Sequence, residues 1–158
     1  MESKQDDFTI NTDKKRLQID IIHRYLTEEA YWTTGRTLAM TERTIQNSLC
    51  FGVYHKGRQI GFARVVTDCT IFAYLCDVFI LAKHQGQGLG KWLIETIINY
   101  LDEQGVRWTM LATRDAHELY EEYGGFQKLF LPEKWMGRVN PRLLHNPGGG
   151  YSVQDEHL

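Results

Sequence analysis

The chain has 158 residues, 42% of them apolar, with three cysteines, a net charge of −2 and a pI near 6.3. That length suits one hydrophobic core and so one domain, and the balanced charge lacks the basic excess that nucleic-acid binders use against phosphates. No apolar run reaches the roughly 20 residues that span a bilayer, MESKQDDFTI lacks the regions of a secretory leader, and Cys50, Cys69 and Cys76 show no CxxC spacing. The expectation is a cytoplasmic protein with reduced thiols, without nucleic acid, membrane or metal as partner.

DFTINTD (7–13) predicts a first strand. LQIDIIHRYLTEEAYW (17–32) predicts a helix with apolar positions at Ile21, Ile22, Tyr25 and Leu26, and a short second helix is expected over 41–49. CFGVYHKGRQIGFARVVTD (50–68) alternates on either side of Lys56 and Gly57, the pattern of a hairpin. IFAYLCDVFIL (71–81) is a nearly unbroken apolar run and predicts a central strand covered on both faces. Leu89, Trp92, Leu93, Ile97, Ile98 and Leu101 then recur at three- and four-residue spacing, predicting a helix that Gly105 stops. VRWTMLAT (106–113) predicts a buried strand, and DAHELYEEYGGF (115–126) a short helix opened by an Asp115–Glu118 capping box. FQKLFL (126–131) predicts a last strand, and NPGGGYSVQDEHL (146–158) a disordered tail, which leaves 1–145 as the domain.

The stretch HQGQGLGKWLIE (84–95) joins the central strand to the long helix and packs three glycines into five positions. Clustered glycines ahead of a helix let backbone amides face an anion. A phosphate loop of the GxxxxGK[ST] kind is excluded because Trp92 follows Lys91, and GxGxxG is excluded because the glycines fall at 86, 88 and 90. What remains is QxxGxG at Gln85, Gly88 and Gly90. It resembles the pyrophosphate-binding signature of the GNAT superfamily of N-acetyltransferases, whose small bacterial-type members also match in element order over roughly 7–136. ELYEEYGGF is similar to the closing helix of that family, a Tyr followed shortly by Gly-Phe.

The resemblance implies an α+β fold: a central mixed β-sheet with splayed middle strands, flanked by helices, with acetyl-CoA as acyl donor. It implies that Gln85, Gly86, Gln87, Gly88, Leu89, Gly90 and Lys91 bind the pyrophosphate, while Val78, Phe79 and Ile80 run beside the pantetheine arm. Tyr31, Trp32 and Arg36 fall where the family caps the acceptor pocket, although core packing explains Trp32 equally well. The acceptor is expected to be a primary amine of a small molecule or peptide, and a homodimer is left open.

Transfer of an acetyl group to an amine requires loss of a proton from an alkylammonium of pKa near 10.4 and delivery of one to a thiolate of pKa near 8.5. One carboxylate and one hydroxyl are therefore sought. Tyr120 matches the family tyrosine placed as proton donor to the departing thiolate, and a core tyrosine is the competing reading. Asp77 interrupts the apolar central strand, where a charge is costly unless it is paired. It is read either as the base or as a structural partner of an arginine such as Arg64. Two departures stand out: no Asn opens the closing helix, and Ala82 and Gln85 replace the Pro and Arg common around the loop. His84 and His117 flank the site without ligand spacing. The alternative function is a catalytically silent acyl-CoA-binding sensor or partner-binding module.

Overall fold

The computed structural model describes residues 1–30, 35–138 and 140. Among them the chain forms strands β1 Glu2–Gln5, β2 Phe8–Asn11, β3 Leu49–His55, β4 Arg58–Thr67, β5 Phe72–Ile80 and β6 Trp108–Met110. The helices are α1 Ile19–Glu28, α2 Leu38–Gln46, α3 Leu89–Glu103 and α4 His117–Gly124. The strands lie in the order β1-β2-β3-β4-β5-β6 in one sheet, antiparallel throughout except for the parallel β5–β6 pair. The mixed sheet flanked by helices agrees with the expected fold class. Among the described residues no helix is long and apolar enough to cross a membrane.

The β3–β4 hairpin turns at Lys56 and Gly57, with φ of 49° and 81°. Two successive positive φ values match the right-handed twist of the flanking strands, the reason such turns close tight hairpins. The run 71–81 was expected to be covered on both faces, but β5 is so covered only in its second half: Phe72 and Tyr74 are exposed, because the helices on their side stop short of them. On one face Leu89, Leu93, Ile94, Ile97 and Leu101 of α3 pack on Phe51, Val53, Ala63, Val65, Ala73 and Leu75. On the other, Ile22 and Leu26 of α1 and Ile45 of α2 cover Cys50, Phe62 and Phe79. Leu93 and Ile97 are fully buried, so truncating either to Ala should cost about 2–5 kcal/mol.

Two irregularities of β5 shape everything that follows. Its pairing with β6 covers only Phe72↔Trp108, Ala73↔Thr109 and Tyr74↔Met110, while β5 itself runs on to Ile80. Beyond Tyr74 β6 has ended, and among the described residues that edge of β5 runs on without a strand beside it. On its other edge β5 pairs with β4, and between Phe62↔Phe79 and Arg64↔Cys76 the single residue Ala63 faces both Asp77 and Val78. This is a β-bulge. Asp77 carries it with φ of 53°, a left-handed conformation that Asp tolerates better than most residues.

Several boundaries differ from the sequence expectation. Strand β1 was not expected: ESKQ is polar throughout and has no apolar alternation, but it closes a hairpin on β2. The first helix is shorter than 17–32, and the second starts at Leu38, where the Thr37 hydroxyl accepts from the Met40 N–H at 3.3 Å. The capping box does not form. Ala116 caps α4, and its N–H donates to Thr113 Oγ1 at 3.1 Å, while Asp115 lies 3.5 Å from Arg114. Residues 126–131 form no strand: Leu131 adopts φ of 55° before Pro132, and Phe130 is 81% exposed. The expected tail, 146–158, lies outside the described residues.

Candidate active site

The glycine loop sits where β5 ends and α3 begins. A short 3-10 turn over Ala82–His84 leads out of the strand, and the Gln85 side chain donates back to the Ile80 carbonyl at 2.8 Å. Gly88, with φ of 78°, caps α3, and its carbonyl accepts the first helical bond from the Trp92 N–H at 3.1 Å. The N–H groups of Leu89, Gly90 and Lys91 precede that first bond and point out of the helix end. A 15-residue helix adds a partial positive charge there, which suits an anion.

Gly88 and Gly90 owe their identity to different causes. Gly88 needs a positive φ. Gly90 does not, and a Cβ built on it meets nothing within 4 Å. In a helix, glycine costs about 1 kcal/mol relative to alanine, yet neither backbone conformation nor packing requires it at 90. The open space beside Gly90 therefore fits a bulky group brought against the backbone. Lys91, expected to contribute charge, instead donates to the Tyr123 hydroxyl of α4 and lies 4.5 Å from its ring centroid. That hydrogen bond raises the pKa of the ammonium.

Asp77 is buried and engaged by two guanidinium groups. Its Oδ2 accepts from Arg64 Nε at 2.6 Å and from Arg36 Nη1 at 2.9 Å, and its Oδ1 accepts from Arg36 Nη2 at 3.3 Å. Arg64 also donates through Nη1 to Ser48 Oγ at 3.2 Å. Burial works most strongly against the charge of Arg64, but Asp77, by charge and hydrogen bond, together with Cys76 and Cys50 outweighs it, and the pKa of the guanidinium is raised. Of the two readings of Asp77, the ion pair with Arg64 is present in the structure, joined by Arg36. Arg36 and Asp77 are 41 positions apart, and Ser48 had no signal in the sequence that would have brought it to this cluster. Cys76, next to Asp77, was likewise missed as a site neighbour; burial pushes its thiol up to about 11.

Tyr120 stands on α4, its ring edge-on to Phe126 with centroids 5.9 Å apart, and packs against the α3 core. It also lines a cavity of about 770 Å³ with Met110, Leu111, His117 and Gly124. That cavity is bounded by β6, α4 and residues 124–130, and neither the glycine loop nor Val78, Phe79 and Ile80 line it. Its size therefore carries less weight than the unpaired edge of β5 at Val78, Phe79 and Ile80, which leads directly to the loop. Tyr31 and Trp32 lie outside the described residues.

The chain has counterparts among known proteins. Residues 19–126 match the pattern of the Acetyltransferase (GNAT) family. FG08082 of Gibberella zeae, named as a candidate acetyltransferase, is 32% identical over 164 residues, covering 90% of this chain and 91% of that protein. A crystal structure of a Xanthomonas campestris pv. campestris protein, a candidate acetyltransferase of the GNAT family, superposes with a TM-score of 0.80 at 42% identity, covering 88% of this chain and 97% of that one. The [ribosomal protein bS18]-alanine N-acetyltransferase of Haemophilus influenzae is 33% identical over 95 residues, 54% of this chain and 62% of that protein. The match over residues 19–126 shows that the chain belongs to the GNAT acetyltransferase family, acyltransferases that act on amines.

Proposed function

We propose that this protein is an acetyl-CoA-dependent N-acetyltransferase that moves an acetyl group directly to a primary amine of a small molecule or peptide in a ternary complex. The observation that carries this reading is the run of β5 beyond Tyr74, where β6 has ended, so that among the described residues one backbone edge of Val78, Phe79 and Ile80 has no neighbouring strand and leads to the glycine loop. Gln85 to Lys91 hold the pyrophosphate at the N-terminus of α3, in the space that Gly90 leaves open. Val78 to Ile80 offer backbone groups to the pantetheine arm.

Acetyl-CoA supplies the acetyl group as a thioester. The amine nitrogen forms the new bond to the carbonyl carbon, the carbon–sulfur bond breaks, and the amine gives up a proton to water. The Tyr120 hydroxyl protonates the departing sulfur; a phenol of pKa about 10 is in its acidic form at neutral pH. Direct transfer is supported by Cys76. A thiol pushed up to about 11 is almost wholly protonated and a poor nucleophile, so the cysteine beside Asp77 is unsuited to carry the acetyl group.

We assign Asp77 an anchoring role toward Arg36 and Arg64 in preference to that of base, because both its oxygens already accept from guanidinium groups. The three free thiols fit residence in a reducing cytoplasm. The acceptor of the Haemophilus relative is an alanine of a ribosomal protein, which places a peptide amine among those to be tried.

The experiment is a thermal-shift comparison of acetyl-CoA, ATP and NAD, followed by assay of thiol release over an amine panel. At 100 times its dissociation constant a ligand stabilises the fold by about 2.7 kcal/mol. Protection by acetyl-CoA with amine-dependent thiol release supports the proposal. Protection by ATP instead overturns it, and tight acetyl-CoA binding without turnover favours the silent sensor.

A further inference from the structure

The Asp77 cluster carries more positive than negative charge. Among the described residues Asp77 is the one carboxylate within 4 Å of either guanidinium. Two arginines against one aspartate leave one positive charge uncompensated, in a setting where the side chains of Arg36, Arg64 and Asp77 are only 14%, 12% and 3% exposed. Each guanidinium has five N–H donors. Arg36 spends two on Asp77, and Arg64 spends one on Asp77 and one on Ser48. A partly buried cation with spare, geometrically fixed donors is what an anionic oxygen group binds in a fork.

The surroundings show from which side such a group would come. Cys50, Arg64 and Cys76 are in register across β3, β4 and β5 and so share one face of the sheet. It is the face on which α1 and α2 cover Cys50 and Phe62. Two residues further along β4, Val66 is in register with Tyr74 of β5, and both are exposed large hydrophobics, at 44% and 36%. The α1–α2 cover therefore stops at the arginines, and an apolar floor of Val66, Tyr74 and Phe72 continues beyond them into solvent. Phe72 and Tyr74 belong to the part of β5 that pairs with β6, and Tyr74, the last paired residue, borders the stretch of β5 that runs on unpaired.

Building on the acetyltransferase reading, we propose that the acceptor is an anionic amine. Its carboxylate or phosphate is held by Arg36 and Arg64, and its apolar body rests on Tyr74 and Val66. The same charge disfavours polyamines, which would bring further positive charge to a cation that already lacks a partner. Asp77 positions the two forks by fixing their planes and does not touch the acceptor.

The test uses the full chain saturated with CoA for binding and with acetyl-CoA for turnover. Its matched pair is phenylalanine against phenylalaninamide, which differ in carboxylate versus neutral amide. An aminoalkyl phosphate and spermidine complete the panel and separate the two anion sources from a cation. The expected result is binding and thiol release favouring an anionic member over its neutral counterpart by on the order of tenfold or more, the worth of a charge-assisted hydrogen bond. Spermidine should be the poorest ligand. Arg36→Gln should erase the preference while acetyl-CoA still protects the fold, and Arg36→Lys should restore part of it. Equal or better binding of phenylalaninamide or spermidine overturns the proposal, as does failure of every anionic amine to bind. If Arg36→Gln does not fold, the panel on the unaltered protein decides alone. Failure of the acetyltransferase reading itself would show separately, as absence of protection by acetyl-CoA.

Discussion

The ammonium of Lys91, in the first turn of α3, donates to the hydroxyl of Tyr123 on α4 at 2.5 Å and lies 4.5 Å from the centre of its ring. The cation at the mouth of the glycine loop is thus tied to the closing helix. Tyr123→Phe keeps the ring and removes the hydroxyl, so the pKa of Lys91 should fall back toward its ordinary value, since that hydrogen bond is the main cause of its rise. Both groups are solvent-facing, and the stability change should stay within about 0.5 kcal/mol. Titration of Lys91 by NMR in the two proteins checks the shift, and an unmoved Lys91 would contradict the contact.

Gly90→Leu separates cofactor binding from folding. A side chain at 90 meets no protein atom within 4 Å, and leucine is the better helix former by up to about 1 kcal/mol. The free protein should keep or raise its Tm while acetyl-CoA affinity drops by about tenfold or more, as the branched side chain fills the phosphate space. Calorimetric titration measures it. Gly88→Val is the poorer probe, because φ of 78° strains valine whether or not a ligand is near.

Tyr120→Phe preserves the edge-on packing with Phe126 and removes the proposed proton donor. Acetyl-CoA affinity should hold while kcat falls by about 10²-fold. The parent should show a decline in rate at high pH, where the donor hydroxyl loses its proton, and the variant should lack it. A variant that turns over as fast as the parent with a good amine would remove Tyr120 from the mechanism.

Asp77→Asn keeps the shape and removes the charge between two arginines. Loss of charge-assisted hydrogen bonds to both should lower stability by about 2–3 kcal/mol, read as a shifted urea midpoint. The acceptor KM should rise as the guanidinium planes loosen. A base would behave differently, with kcat falling about 10²-fold at unchanged stability. The two measurements together distinguish anchor from base.

Glu2 gives a pH dependence of known sign. Hydrogen bonds from Lys4, Arg16 and Asn11 hold its carboxyl down from 4.5 to about 2. A lowered folded-state pKa contributes stability above the unfolded value, and that contribution is lost as pH falls from about 4.5 toward 2. Exchange protection of the β1–β2 hairpin should therefore weaken over that window, and Glu2→Gln should be as weakly protected at pH 6 as the parent is in acid.

The parts of the fold that can be read in the sequence are those whose causes are local. The Lys56–Gly57 turn, the α3 stripe and the Gly86–Gly90 loop each follow from conformational preference or spacing within a few residues. Strand β1 is hidden because ESKQ is polar and held by pairing with β2 and by the Glu2 contacts. FQKLFL has strand composition but no strand, since it lies along a cavity wall where composition gives no information about pairing. At the site, the loop was legible and the arginine cluster only half so. Arg64 is the cross-strand neighbour of Cys76 on β5 and was named as a partner for Asp77, whereas the approach of Arg36 depends on a chain path 41 residues long.

The extra residue at the bulge also changes the phase of β5. Ala73 and Leu75, with odd numbers, pack toward α3, but past Asp77 it is the even-numbered Val78 and Ile80 that do so, while Phe79 turns to the α1–α2 side. One strand is thus two half-strands of opposite parity joined at a hinge residue. Because side chains alternate with period two, Cys76 and Phe79 can share the α1–α2 face at three positions apart only through the bulge; removing one residue from 76 to 78 would straighten the ladder and keep Phe79 on its side, but abolish the bulge. The stretch that leads to the glycine loop would thus keep its inner and outer faces in a strand one residue shorter, and what such a strand gives up is the left-handed kink at which Asp77 meets Arg36 and Arg64.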